Sequence, residues 1–121
     1  MKRPKILVVD DDQPILVLMQ NVLREFKFDT VIASSGAAAI SMAREERPDL
    51  ILLDLKMPQM SGEEAIQAIR AEPGLKQVPI LILSGEQVSR RELDKVGADG
   101  AVQKPFDLTD LISQIHSYVH P

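Results

Sequence analysis

Three consecutive aspartates, Asp10, Asp11 and Asp12, follow directly on the apolar run Ile6 to Val9. Two carboxylates about 4 Å apart repel by roughly 4 kcal/mol at an effective dielectric near 20, so grouping them is favourable only around a cation. Three further polar residues end apolar runs elsewhere: Asp54 closes "LILLD", Ser84 closes "ILILS", and Lys104 follows "GAVQ". Several carboxylates with no soft ligand are what a magnesium ion requires, because it takes hard oxygen donors and completes its shell with water or phosphate oxygens. A lysine and a hydroxyl add cationic and hydrogen-bonding contacts suited to a transferring phosphoryl group. Together these residues describe a site for magnesium-assisted phosphoryl chemistry, provided the fold brings the run ends to one place. One aspartate has a competing role: Asp12, just before Pro14, is placed to cap a helix.

The runs themselves say how that convergence is achieved. "KILVV", "TVIA", "LILLD", "ILILS" and a weaker "GAVQ" are short and continuously apolar, which marks strands buried on both faces. Helical segments separate them, so the chain reads as β-α-β units in a doubly wound parallel α/β sheet of five strands and five helices. In such sheets the functional crevice lies at the carboxyl ends of the strands, where the residues above fall.

Punctuation places the helices. The first runs from the Asp12 cap to about Phe26, and the second is capped by Ser34 or Ser35 and ends before "RPD". Ser61 with Glu64 forms a capping box for the third, which "EPG" stops. A short fourth helix lies within "GEQVSRRELDKV" and ends at Gly97, and a fifth spans "LTDLISQIHSYV" with Leu108, Leu111, Ile112, Ile115 and Val119 on one stripe. In the first helix, Ile15 to Met19 is apolar without a break and wraps the full circumference. Ile15, Leu18, Met19, Val22 and Phe26 are expected to face the core, with Leu16 on the shoulder and Val17 outward. An apolar surface over Ile15, Leu16 and Val17, close to the aspartates, suits docking of a protein partner.

Composition narrows the remaining classes. A chain of 121 residues is one domain, and cysteine is absent. With His116 and His120 the only histidines, thiolate chemistry, Cys/His zinc sites and histidine triads have no material. Net charge is −4, with one tyrosine and three phenylalanines, which argues against a nucleic-acid surface. The basic start "MKRPK" precedes too short an apolar run for a signal peptide or membrane span, so a cytoplasmic location is expected.

The order "VVDDD", "LLDLKMPQMSGEE", "LILSG" and "GADGAVQKPF" closely resembles the response-regulator receiver domain of bacterial two-component signalling, over essentially residues 1–121. The resemblance implies a CheY-like sheet of strand order 2-1-3-4-5 and a phosphoryl group accepted on Asp54 from a histidine kinase or histidine phosphotransfer protein. It further implies Mg²⁺ held by Asp11, Asp54 and the Lys56 carbonyl, with Asp10 acting largely through water. Ser84 and Lys104 would bind phosphoryl oxygens, and the Lys104–Pro105 bond would be cis. Lys56 and Glu86, each two residues past a site residue, would pair at the pocket mouth and slow loss of the phosphoryl group. A magnesium-dependent phosphohydrolase using an aspartyl phosphate usually carries an acid where Lys56 stands. The chain is expected to act on a downstream protein as a single-domain receiver or as the receiver segment of a longer regulator or hybrid kinase; the alternative is a receiver-like interaction module that is never phosphorylated.

Three departures from the family pattern matter. Ala101 occupies the place where many receivers carry a Tyr or Phe whose ring turns inward on activation. The stretch from Ser84 to Lys104 is shorter than usual, which predicts a curtailed fourth helix. Ser61 stands where Asp is more frequent, and keeps the capping role.

Overall fold

Each apolar run forms one strand in the computed structural model, which describes residues 3–57 and 60–119. The strands are β1 (Lys5–Val9), β2 (Asp29–Ala33), β3 (Leu50–Asp54), β4 (Ile80–Ser84) and β5 (Gly100–Gln103). They pair in parallel in the order β2-β1-β3-β4-β5. The helices between and after them are α1 (Gln13–Glu25), α2 (Gly36–Glu46), α3 (Gly62–Ala71), α4 (Arg90–Val96) and α5 (Leu108–Tyr118). Among the described residues, no helix is long and apolar enough to cross a membrane. Met1, Lys2, Pro58, Gln59, His120 and Pro121, which include parts of the basic start and of the "KMPQM" segment, lie outside the described residues.

Alternation along the strands builds two cores. Leu7, Val9, Ile51, Leu53, Ile80 and Ile82 face α2, α3 and Leu93 of α4. Their neighbours Ile6, Val8, Leu50, Leu52, Leu81 and Leu83 face α1 and α5. Both sets are fully buried, which is why these strands read as unbroken apolar runs rather than as alternating ones. In register, Val9 lies opposite Leu53 and Asp54 opposite Leu83. One step further along, Asp10 and Asp54 leave adjacent strands at the point where the strand order reverses, the ordinary place for a ligand crevice.

Side-chain caps start every helix: Asp12, Ser35, Ser61, Ser89 and Asp107 each accept a backbone N–H from the first turn. The Ser89 and Asp107 caps were not foreseen from the sequence. α4 is indeed short, seven residues, ending at Gly97 in the left-handed region. In α5, Leu111, Ile112 and Ile115 are buried, Val119 packs at the margin, and Leu108 stays largely exposed.

The expected core face of α1 holds for Met19, and in part for Ile15 at its margin, but not for Leu18 and Phe26. Leu16, Met19 and Leu23 form the buried stripe, whereas Leu18 (53% exposed) and Phe26 face outward beside Val17. Leu16 is only 1% exposed and cannot belong to an outer docking surface. The cause lies at the end of the helix. Lys27 takes a positive φ of 71°, Phe28 N–H donates to Leu23 O at 3.0 Å and Lys27 N–H to Arg24 O at 3.1 Å. This is a Schellman turn, in which the residue after the left-handed position packs on the residue five before it. Phe28 and Leu23 therefore enter the core together, and the helix is rotated to suit them. Without a glycine at position 27, the sequence carries no obvious sign of the turn.

Leu16→Ala is expected to cost about 2–5 kcal/mol of stability. Leu18→Ala should stay within about 0.5 kcal/mol of the parent. Urea unfolding of the two variants checks the rotation of α1, and equal losses would contradict it.

Candidate functional site

Three strand ends share one local device. Asp10 Oδ1 accepts the N–H of Asp12 at 3.0 Å, Asp54 Oδ1 accepts that of Lys56 at 3.1 Å, and Ser84 Oγ accepts that of Glu86 at 3.1 Å. In each case a short polar side chain at the end of a strand captures the amide two residues on, the natural turn of Asp and Ser. The chain thereby folds away from the strand while the other carboxylate oxygen remains available. Asp12 is directed elsewhere, since its carboxylate accepts Ile15 N–H at 3.3 Å as the α1 cap.

The remaining oxygens of Asp10 and Asp54 meet Lys104, which follows β5 on the same end of the sheet. Its Nζ lies 3.2 Å from Asp10 Oδ2 and 3.5 Å from Asp54 Oδ2. Lys104 N–H also donates to Ser84 O at 2.6 Å, and the Lys104–Pro105 bond is cis. Asp10 is almost completely buried, Asp54 nearly so, and Asp11 is exposed. Burial is the main reason that the Asp54 carboxyl sits above its ordinary pKa, helped by the Asp10 charge and opposed by the Lys56 amide and Lys104. Burial alone would lower Lys104, but hydrogen bonding and charge from Asp10 and then Asp54 outweigh it, so the net shift is upward. The ammonium form is held.

Oxygen atoms of Asp10, Asp11 and Asp54 fall within 4.8 Å of one another. Three carboxylates against one lysine leave negative charge in excess. An all-oxygen donor set with that excess fits a hard divalent cation and offers nothing to a soft one. His116 is elsewhere, its ring packed against Phe28 at 5.3 Å between centroids.

Beside the acids lies a small cleft, about 110 Å³, which Asp54 and Ser84 line together with Lys56, Glu86, Val88 and Glu92. Lys56 Nζ and Glu86 Oε1 stand 3.7 Å apart across its mouth, both side chains about four-fifths exposed (82% and 79%). Val88 and Glu92 were not singled out from the sequence, since their place in the cleft depends on where α4 starts. Gly62 was also missed. A Cβ there would lie 2.6 Å from Leu55 Cα and 2.8 Å from Asp54 O, so only glycine lets α3 begin against the end of β3. Its N–H donates to Leu55 O at 3.0 Å, closing the loop that follows Asp54.

On the other side of Lys104 an apolar groove of about 440 Å³ is lined by Ile15, Leu18, Met19, Pro105 and Phe106. Of the expected α1 surface, Ile15 belongs to this groove, Val17 is exposed, and Leu16 lies beneath.

The response regulator receiver domain model matches residues 6–116. The DNA-binding response regulator MtrA of Mycolicibacterium smegmatis is 38% identical over an aligned length of 120, covering 95% of this chain and 50% of that protein. The chain spans about half the length of the curated relatives it matches. Among solved structures, chemotaxis protein CheY4 of Vibrio cholerae superposes with a TM-score of 0.92 at 31% identity, covering 98% of this chain and 100% of that one. Response regulator TrrA of Thermotoga maritima, in complex with Mg²⁺-BeF, gives a TM-score of 0.85 at 30% identity, with 96% and 99% covered.

Proposed function

We infer the chemistry of this chain from the premise that it belongs to the response regulator receiver family, the phosphoacceptor module of two-component signalling. Asp54 is the residue that takes the phosphoryl group. The observation that carries this reading is the Lys104 ammonium shared by Asp10 and Asp54 within one acidic cluster.

In the proposed reaction a carboxylate oxygen of Asp54 attacks the phosphorus of a phosphohistidine. The P–N bond breaks, its electron pair leaves with the imidazole nitrogen, and an acyl phosphate remains on Asp54. Anionic nucleophile and anionic phosphoryl group repel, so charge at the phosphoryl oxygens must be neutralised as the bond forms. Lys104 supplies one positive charge, and the Ser84 hydroxyl can turn from its own loop to donate to a phosphoryl oxygen. Asp11, Asp54 and the Lys56 carbonyl would hold Mg²⁺, with Asp10 acting through water, and the ion would supply the remaining neutralisation. Slow self-dephosphorylation, rather than turnover of an external substrate, completes the cycle. A phosphohydrolase reading lacks its second acid, because Lys56 stands two residues after Asp54.

The donor is a histidine kinase or histidine phosphotransfer protein, docking its apolar helical surface over Ile15, Val17, Leu18 and Phe106 next to Lys104. Residues 1–121 make one receiver domain, acting alone or as a segment of a longer cytoplasmic regulator. The chain covers half of MtrA and all of the CheY4 chain, so its relatives include both arrangements. An acidic balance supports protein partners over nucleic acid for this domain.

Acetyl phosphate with Mg²⁺ should add one phosphoryl group, seen by intact mass, and neither Asp54→Asn nor chelated protein should be labelled; labelling of Asp54→Asn would overturn the assignment. Lys56→Ala should shorten the lifetime of the phosphorylated protein by up to about fivefold, the most that an exposed ion pair can contribute. Equal decay would remove the Lys56–Glu86 pair from the account. Leu18→Asp and Val17→Asp should slow transfer from a phosphohistidine protein about tenfold, equivalent to about 1.4 kcal/mol of docking energy. Acetyl phosphate labelling of these variants should not change, and parental transfer rates would place the partner elsewhere.

A further inference from the structure

β5 carries Lys104 to the site, yet little in its own sequence fixes where it lies along β4. It is an edge strand of four residues, Gly100, Ala101, Val102 and Gln103, and only Val102 is buried. Small and polar residues specify register weakly, and a slip by one residue moves a strand about 3.3 Å and turns every side chain to the opposite face. Lys104 would then lose its contacts of 3.2 Å to Asp10 and 3.5 Å to Asp54. The strand needs an anchor of another kind.

Asp99, immediately before the strand, collects contacts from four elements. Its N–H donates to Ile80 O at 2.8 Å, and its carboxylate accepts Ile80 N–H at 2.9 Å, so the side chain takes a place in the ladder that a backbone carbonyl ordinarily fills. With Leu81 paired to Gly100, a slip by one residue would set Ala98 or Gly100 opposite Ile80, and neither side chain can accept that N–H. Arg70 of α3 fixes the carboxylate in turn. Its Nη2 donates to Asp99 at 3.0 Å, its Nε to Gly97 O at 3.1 Å and its Nη1 to Val78 O at 2.6 Å, a fan that a planar group with five donors can satisfy and a lysine ammonium cannot. The Asp99 carbonyl accepts Arg90 Nη1 of α4 at 3.3 Å and the Tyr118 hydroxyl of α5 at 3.4 Å. Gly100 leaves room for the second, since a Cβ there would lie 3.1 Å from that hydroxyl. At the far end Lys104 N–H donates to Ser84 O at 2.6 Å, and the next residue, Pro105, has no N–H to offer instead.

We propose that Asp99, held by Arg70, sets the register of β5 on β4 and through it the place of the Lys104 ammonium beside Asp10 and Asp54. Asp99 stands five residues before Lys104, about 16 Å of extended chain, so it and Arg70 are positioning residues remote from the reacting atoms. The carboxylates of the site come from the ends of β1 and β3 and are placed without this anchor. The lock therefore acts on the charge that meets a phosphoryl group and leaves the cation site alone. Its bearing on phosphoryl transfer rests on the receiver reading.

Amide hydrogen exchange and labelling by acetyl phosphate, both on the full chain, test the lock. Asp99→Ala should raise exchange about tenfold at the Lys104 amide, at the opposite end of the strand, while the β1 and β3 amides stay protected. Its maximal labelling rate should fall about tenfold, and the Mg²⁺ concentration that gives half of that rate should not move. Asp99→Asn, which keeps an acceptor for Ile80 N–H, should restore most of both, and Arg70→Gln should fall between the two. In a Lys104→Ala background Asp99→Ala should cost nothing further in labelling, because its effect passes through that side chain. Should Asp99→Ala fail to fold, Arg70→Gln carries the same comparisons. Parental exchange and labelling, or a uniform rise of exchange across the sheet, would overturn the lock. So would an equal loss of labelling with Lys104 already removed, or a loss confined to the Mg²⁺ requirement. If the parent protein is not labelled at all, the receiver reading falls, and the Lys104 amide still decides the register.

Discussion

Two carboxylates taken out of water at the end of a sheet cannot stay close together without positive charge between them, and Lys104 is what the chain supplies. It comes from the far side of the molecule in sequence. Its ammonium reaches Asp10 and Asp54 only because β1, β3 and β5 run parallel and end on the same edge. Even so, one lysine leaves the cluster negative. The same feature that costs stability is what makes the site receptive to a cation and to an incoming phosphoryl group.

Rigidity around that charge cluster comes from backbone amides. Asp10, Asp54 and Ser84 each capture the N–H two residues on, which leaves their second lone pairs or oxygens aimed into the crevice. Gly62 packs against the β3 end from the opposite direction and closes the loop after Asp54. These contacts hold the β1 and β3 side of the site closely. The β4 side is different: beyond Ser84 the chain is exposed, but for Val88 packed on the core, as far as the capping box of α4, and the Arg70 and Asp99 cluster lies beyond it. Stability is thus uneven across the site, firm beneath the carboxylates and loose towards α4.

The outer face of α1 follows from an interaction at the opposite end of that helix. Because the Schellman turn at Lys27 draws Leu23 and Phe28 into one core, Leu18 is left in solvent and helps to floor an apolar groove next to Lys104. A packing decision near residue 28 therefore shapes the surface a few ångströms from the chemistry. Cores are close-packed, and a helix cannot satisfy two apolar stripes at once.

Much was legible in the linear order of residues. Four apolar runs and a weaker fifth specified the strands, of which β1, β3 and β4 are covered on both faces; caps such as Ser61 located helices, and polar residues at the run ends marked where a crevice would open. Those signals are local, carried by side-chain periodicity and by turn chemistry within a few residues. What tertiary structure alone decided was relative placement: the meeting of Lys104 with Asp10 and Asp54, the rotation of α1, the close approach of Gly62, and the junction at Asp99. Except for Gly62, whose contacts close its own loop onto β3, each depends on contacts between segments far apart in sequence or on a backbone turn that a lysine was not expected to make. An amphipathic pattern records how much apolar surface a helix must bury, and only packing against a particular neighbour selects which side of it is used.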